Sequence, residues 1–270
     1  MMKKKECFFL LSLMLLLCSQ VIFAISYSQK ILADNPLVYY RLGETGTTAA
    51  DATGNYDATY YGTITRNVSS PLVNDPNKAI STGAGTDHYI RKSSFNAFST
   101  TAVSAEFWMK SSDKNNSGSP ISYAVGNMDN EFLIYNYQNL GIYVNGSHVD
   151  TGISLTNGNW HHVVITWQSS GGTTKLYVDK SLVYSGNLQA GSSIHAGGTL
   201  VLGQEQDSVG GNFDPSQTFV GSLDEVAIYS HVLSASQIAS HYDVATAVPE
   251  PTSLILGFIA LSVVWLYHKP

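Results

Sequence analysis

Oxygen-bearing side chains gather in one short stretch of this 270-residue chain, from residue 203 to residue 217. On an extended backbone Glu205 and Asp207 point to the same face, and Gln206 presents its backbone carbonyl between them. Carboxylate, amide and carbonyl oxygens with no nearby cysteine or ligand-spaced histidine suit Ca²⁺, which takes roughly 6–8 oxygen ligands in a flexible geometry. The alternative interpretation is a solvated polar loop at the end of a strand.

The residues that follow can extend this set of ligands. The pair Gly210-Gly211 lets the chain fold back on itself. This would bring Asp214 and Gln217 alongside Glu205 and add a carboxylate and an amide oxygen.

A second segment supplies two more oxygen ligands, Asp129 and Asn130. They directly precede a strand-like run over residues 131–135. Between the two segments lies the pattern His162-x-Val164-x-Thr166-Trp167. Together these segments resemble the pentraxins, and the resemblance extends over roughly Ser122 to Tyr242.

The resemblance implies two calcium ions. The first would be held by Asp129, Asn130, Glu205, Gln206 through its backbone carbonyl, and Asp207. The second would be held by Glu205, Asp207, Asp214 and Gln217. In the family the paired ions are the binding surface and chelate a phosphate, carboxylate or sugar-diol group. The function implied is therefore calcium-dependent recognition.

The resemblance also locates a ligand pocket, where this chain departs from the family. The aromatic floor of the pocket falls on Tyr135, and the acid that would pair with choline aligns near His148, so phosphocholine specificity is not expected. Asp214 stands where the family has a glutamate, which would weaken the second ion. Val164 replaces a disulfide-forming cysteine.

The chain begins with an export signal. A basic start at residues 3–5, an apolar run over residues 8–23 and a final Ala24 predict a signal peptide over residues 1–24. Both cysteines, Cys7 and Cys18, lie inside it, so the mature chain would have neither a disulfide nor a cysteine-bound metal. A lipoprotein modified at Cys18 is the alternative, but a leucine precedes it where a small residue is expected.

The C-terminal residues 248–270 resemble the PEP-CTERM sorting signal of exopolysaccharide-producing Gram-negative bacteria. Val248-Pro249-Glu250-Pro251 precedes an apolar stretch over residues 254–267, followed by His268-Lys269-Pro270 rather than an arginine cluster. The stretch is shorter than the roughly 20 residues of a stable membrane span. The resemblance implies transient anchoring in the inner membrane, cleavage by an exosortase-type enzyme, and release to the cell surface or extracellular matrix. An ordinary tail anchor is the alternative.

The charge balance excludes some partners. The two terminal segments contain four of the 14 basic and two of the 20 acidic residues, so residues 25–248 carry a net charge of −8. An acidic domain of this kind argues against binding to nucleic acid or to anionic membrane surfaces.

Residues 25–245 are long enough for one sizeable all-β domain. Residues 160–167, a turn at 169–172, residues 174–178 and residues 182–184 predict a meander of antiparallel strands.

Within this pattern, several residues are expected to be structural. His161 and His162 are adjacent and would face opposite sides of a strand, so they cannot bind one ion together. Trp108 and Trp167 are expected to fill the core. One helix is predicted after Ser234, which forms a capping box with Gln237.

Residues 37–55 and 221–229 resemble the LamG-like concanavalin A jelly roll, the fold that pentraxins share. The expected fold class is an all-β, concanavalin A-like jelly-roll β-sandwich of antiparallel strands with one short helix near the C-terminal end of the domain. In such a roll the first and last strands pair, which would bring Tyr40 next to Val226. Asp51 forms either an Asx-turn or a separate ion site with the asparagine four residues later.

Catalysis is not expected. Glycoside hydrolysis, which some members of this fold perform, needs two carboxylates roughly 5–10 Å apart, one of them a proton donor. Glu205 and Asp207 are the one near match, and carboxylates that a calcium ion keeps ionised are poor general acids.

The sequence therefore predicts an exported, calcium-dependent, lectin-like module for glycans or other anionic or hydroxylated polymers, such as exopolysaccharide. The alternative is a structural matrix or surface protein in which calcium only stabilises loops. The two differ in whether the ions keep coordination positions open to solvent. A homo-oligomer fits the resemblance.

Overall fold

The structure, a computed structural model, describes residues 25–73, 75–98 and 100–248. The predicted signal peptide with both cysteines, and the predicted sorting signal from residue 249 onward, lie outside the described residues. No helix within the described ranges has the length and apolar character needed to cross a membrane.

The described residues form sixteen strands and two α-helices. In chain order the strands are β1 (Val38–Tyr40), β2 (Thr48–Ala49), β3 (Ala58–Tyr61), β4 (Thr65–Val68), β5 (Ala79–Thr82), β6 (Tyr89–Phe95), β7 (Ala102–Lys110), β8 (Ile121–Val125), β9 (Met128–Tyr135), β10 (Gly141–Val144), β11 (Ser147–Asp150), β12 (Trp160–Gln168), β13 (Thr173–Val178), β14 (Ser181–Asn187), β15 (Gly198–Leu202) and β16 (Gly221–Tyr229). The helices are α1 (Tyr27–Ala33) and α2 (Ala235–Thr246), with 3₁₀ turns at Ser170–Gly172 and Pro215–Gln217.

These strands build two antiparallel sheets, as the jelly-roll prediction requires. The first sheet has the order β14-β13-β12-β7-β16-β5-β4, with β1 also paired to β16. The second has the order β11-β10-β9-β8-β15-β6-β3-β2. Tyr40 pairs with Val226 across β1 and β16, which confirms the predicted pairing of the first and last strands.

The main hydrophobic core lies between the sheets. Along β12, Val163, Ile165 and Trp167 belong to this core, while Val164 points to the opposite face and packs in a second apolar cluster. A strand that is covered on both faces needs apolar residues at consecutive positions, which is why β12 reads as an almost unbroken apolar run. Trp108 is also buried, at 3% exposure, so both tryptophans are core residues as predicted.

The second cluster lies under the two helices, on the outer face of the first sheet. Tyr27 and Ile31 of α1 and Ile238 of α2 pack there with Trp108 and Val164. The sequence predicted α2 from its Ser234 capping box but missed α1. The short α1 begins with a second capping box, at Ser26 and Gln29, and its seven residues depend on this tertiary packing.

A buried ionic network holds the helices against the first sheet. Glu106 on β7 accepts hydrogen bonds from His162 Nε2 (2.7 Å), His241 Nδ1 (2.9 Å) and the Tyr229 hydroxyl (2.9 Å). His241 on α2 also donates from Nε2 to Asp34, which follows α1 (2.7 Å). Burial opposes ionisation of Glu106, but the two histidines outweigh it and hold the pKa of Glu106 well below its usual range.

The structure also shows the surroundings of the adjacent histidines on β12 and of Asp51. His161 contacts Asp179 at 2.8 Å while its neighbour His162 contacts Glu106, so the two rings do face opposite sides of β12. The Asp51 carboxylate accepts backbone N–H groups from Tyr39, Thr53, Asn55 and Tyr56. These bonds form the predicted Asx-turn.

Candidate metal centre

The residues predicted to bind calcium lie on the second sheet. Asp129 and Asn130 are at the start of β9, and the loop 203–217 follows β15. Strand β8 lies between β9 and β15 and pairs with both. The loop folds back over these strands, because the side chain of Gln206 reaches the backbone oxygens of Ser122 on β8 and Thr199 on β15.

The Gln206 side chain anchors the loop and is not a free ligand. Its Nε2 donates to Ser122 O (3.0 Å), Ser122 Oγ (3.1 Å) and Thr199 O (3.1 Å), and its Oε1 accepts the N–H of Gly210 (2.8 Å). The residue is fully buried. With both polar atoms of the side chain engaged, its backbone carbonyl is the oxygen that stays a predicted calcium ligand.

Glu205 is the electrostatic centre of the cluster. The residue is only 3% exposed. Burial, followed by the charges of Asp207, Asp129 and Asp214, raises the pKa of its carboxyl to about 7. The structure thus places Asp129, Asp207 and Asp214, from two separate segments of the chain, within electrostatic range of Glu205.

Three buried acceptor oxygens in this region have no hydrogen-bond partner, namely Asn130 Oδ1, Glu205 Oε2 and Gln217 Oε1. All three belong to predicted calcium ligands. A buried acceptor without a donor costs about 1–3 kcal/mol, and an oxygen-preferring cation would satisfy all three without any donor. The chemistry of these residues therefore fits a bound Ca²⁺.

The remaining predicted ligands are less converged. Asp207 is exposed, and the exposed Asp214 caps the turn at Pro215–Gln217 by accepting the Ser216 N–H (2.7 Å) and Oγ–H (2.8 Å). These bonds lower the pKa of Asp214. Within the described ranges, no three His, Cys, Asp or Glu side chains are placed to hold a metal by themselves. A calcium site here has to include the amide and carbonyl oxygens.

A group of rings lies beside the acidic cluster. The ring of Tyr143 stacks on His148, with centroids 4.7 Å apart and planes at 17°, and meets Tyr135 edge to face at 6.1 Å. Burial raises the pKa of Tyr143, with smaller contributions from Tyr135, Asp150 and Glu205, so its hydroxyl is close enough to sense the Glu205 carboxylate. Tyr135 and His148 are therefore joined through a third ring.

Sequence analysis did not identify Tyr143 as part of the site. It lies directly opposite His148 in the β10–β11 pairing and so shares its face of the sheet. The two-residue turn at Asn145-Gly146 fixes that register, because Val144 pairs with Ser147. Reading this hairpin from the sequence could have paired the two residues.

Comparison with known proteins gives one matching family model, that of the Pentaxin family, over residues 96–255. The chain is 46% identical over 155 residues to "Sushi, von Willebrand factor type A, EGF and pentraxin domain-containing protein 1" of Rattus norvegicus, covering 56% of this chain and 4% of that protein. It is 36% identical over 145 residues to neuronal pentraxin-2 of Mus musculus, covering 53% of this chain and 34% of that protein. This chain thus spans a small part of either relative.

Among solved structures, the chain is similar to the native heptameric SAP-like pentraxin of Limulus polyphemus. The superposition has a TM-score of 0.51 at 27% sequence identity, and it covers 60% of this chain and 79% of that one. This superposition supports the jelly-roll fold of two antiparallel sheets.

Proposed function

The chain belongs to the pentaxin family, and on this premise we propose that it is a calcium-dependent, lectin-like binding protein. The observation that carries the proposal is the set of unpartnered, buried oxygens of Asn130, Glu205 and Gln217, all on predicted calcium ligands. Hydrogen-bond acceptors buried without donors are rare in folded proteins, and a pair of bound calcium ions would satisfy all three.

We assign the ligands of two ions as the sequence suggests. The first ion would take its oxygens from Asp129, Asn130, Glu205, Gln206 and Asp207, and the second from Glu205, Asp207, Asp214 and Gln217. Calcium with open coordination positions supplies direct binding to phosphate, carboxylate or sugar-diol oxygens. The chain itself would supply the oxygen ligands for the ions and keep the loop folded over β8 and β15.

The proposed ligand is a glycan or another anionic or hydroxylated polymer, such as exopolysaccharide. The rings of Tyr135, Tyr143 and His148 lie beside the acidic cluster and offer an aromatic surface to the part of the ligand that does not touch calcium. Binding, rather than catalysis, is proposed because ion-bound Glu205 and Asp207 would stay ionised and could not donate a proton.

A glycan array probed with the protein in millimolar calcium, and again in EDTA, tests this proposal. We expect binding to a defined group of acidic or diol-bearing glycans in calcium and its loss in EDTA. Binding that is unchanged by EDTA would contradict the proposal. Absence of glycan binding together with calcium-dependent stability would favour a structural role for the ion.

Assembly into a homo-oligomer is proposed as well. The related Limulus protein is heptameric in its solved structure. Several copies that present their calcium faces to one polymer would bind it far more tightly than a single copy does.

Export is proposed from the ends of the chain. Residues 1–24 would direct secretion, residues 25–245 would form the binding domain, and residues 248–270 would hold it at the inner membrane until an exosortase-type enzyme releases it. Mass spectrometry of surface or matrix material should then detect a chain that begins near Ile25 and lacks residues 254–267. Recovery of the intact tail in inner-membrane fractions alone would favour a permanent anchor.

A further inference from the structure

The loop 203–217 has to hold mutually repelling carboxylates together before an ion binds. Its internal bonds close two turns. In the first, Gln206 Oε1 accepts the N–H of Gly210, and Ser208 exchanges two backbone bonds with Gly211. In the second, Asp214 caps the 3₁₀ turn at Pro215–Gln217. Gly210 has a φ of +79°, a conformation that favours glycine. Contacts with other elements must fix the position of the first turn on the sheet.

Arg91 on β6 provides one outside contact. Its Nη1 donates to the carbonyl of Gly210 (3.0 Å), and its Nη2 donates to the hydroxyl of Tyr61 on β3 (2.8 Å). The guanidinium also lies 4.5 Å from the centroid of the Tyr61 ring. A planar, forked guanidinium makes these contacts from two separate nitrogens, a geometry that a compact ammonium group does not reproduce.

Phe213 provides a second contact with the same patch. Its ring lies 4.7 Å from the ring of Tyr89, which in turn stacks on Tyr61 at 4.7 Å and 16°. Tyr89 and Arg91 are two residues apart on β6 and therefore project from the same face. The loop is thus attached at Gly210 and again at Phe213, the residue directly before Asp214.

We propose that Arg91 is a positioning residue for the calcium loop, acting with the stacked rings of Tyr61 and Tyr89. It fixes Gly210, and through Gly210 the Gln206 anchor, so that the Gln206 carbonyl and the neighbouring carboxylates stay over β8 and β15. Its positive charge also offsets part of the repulsion within the acidic loop. This inference rests on the proposed calcium-binding function.

The test compares Arg91→Met with Arg66→Met in the full chain. Arg66 is a matched control, because its guanidinium likewise makes two hydrogen bonds, in this case to the backbone carbonyls of Glu44 and Gly46, and lies over a tyrosine ring, that of Tyr60. Calcium affinity is measured by calorimetry, and amide hydrogen exchange of residues 206–214 is measured without calcium. Phe213→Ala tests the second contact, so the inference does not depend on one variant folding.

We expect Arg91→Met to weaken calcium binding about tenfold, as loss of a residue that supports metal ligands typically does, and to speed exchange in the ion-free loop. Phe213→Ala should do the same, and Arg66→Met should change neither. Unchanged affinity and exchange in both Arg91→Met and Phe213→Ala would overturn the positioning role. Failure of the wild-type protein to bind calcium, with faster loop exchange in Arg91→Met, would overturn the proposed function instead.

Discussion

At the scale of single residues, Glu205 differs from the other acidic ligands in being buried. Burial and the neighbouring carboxylates of Asp207, Asp129 and Asp214 raise its pKa, so without an ion the site opposes a further negative charge on Glu205. A calcium ion would reverse this preference, since it favours the ionised carboxylate. Burial of an unpaired acid is costly, so the residue makes physical sense as part of an ion site.

The two proposed ions should respond to different substitutions. Asp129→Ala should weaken the first ion, and Asp214→Ala the second, because each variant removes a carboxylate assigned to one ion only. Asp207→Ala, which removes a shared ligand, should weaken both. Calorimetry that resolves the two binding events measures this division. A titration in which Asp214→Ala leaves every event unchanged would show that the second ion does not bind as assigned.

The candidate site was predictable from sequence where ligands are consecutive or linked by a glycine turn. Glu205, Gln206 and Asp207 are neighbours in the chain, and the turn that Gly210-Gly211 permits brings Asp214 back toward Glu205. The resemblance to a family supplied the link to residue 129. The Gln206 side-chain anchor and the Arg91 contact were not predictable, because each depends on strands that approach only in the folded sheet.

At the scale of elements, local sequence signals predicted α2 and the meander from β12 to β14. They did not predict the features that depend on packing between distant parts of the chain, namely α1 and the network around Glu106. The capping box at Ser234 is readable from sequence, whereas α1 is too short to be stable without the first sheet. The network around Glu106 joins His162, 56 residues away, and His241, 135 residues away. No local pattern shows that these residues meet.

This network predicts how the ends of the domain respond to pH. Burial alone would lower the pKa of His241. Glu106 and Asp34 outweigh burial through their negative charges and their hydrogen bonds with the imidazole, and so raise the pKa. A raised histidine pKa stabilises the fold fully below the unfolded value, about 6.5, and this stabilisation is lost as pH rises through the folded value. The attachment of α2 should therefore weaken at alkaline pH.

Thermal melting between pH 6 and pH 9 measures this effect. The melting temperature of the wild-type protein should fall with rising pH more steeply than that of His241→Gln, which has no imidazolium to lose. His161→Gln, on the same sheet but paired to Asp179, serves as the control and should keep the wild-type slope. Parallel slopes for wild type and His241→Gln would contradict the assignment of an imidazolium to His241.

At the scale of the whole molecule, the two faces of the sandwich carry different features. The outer face of the first sheet is covered by α1 and α2 and sealed by the Glu106 network. The second sheet carries the acidic cluster, the rings around Tyr143 and the folded-back loop. A cluster of carboxylates on the second sheet of an acidic domain favours a divalent cation as the first partner and a ligand held through that cation as the second.

The most direct test of this account is a calcium titration of the wild-type protein and of Glu205→Gln, followed by calorimetry and by melting, with magnesium as the competing ion. We expect calcium to bind the wild-type protein and raise its melting temperature, since a ligand bound only by the folded state stabilises it. Glu205→Gln keeps the size of the side chain but loses the charge shared by the two ions. The variant should therefore need at least about tenfold more calcium for the same binding and the same rise in melting temperature. A wild-type melting temperature that millimolar calcium leaves unchanged, or a Glu205→Gln variant that binds calcium as the wild type does, would contradict the account.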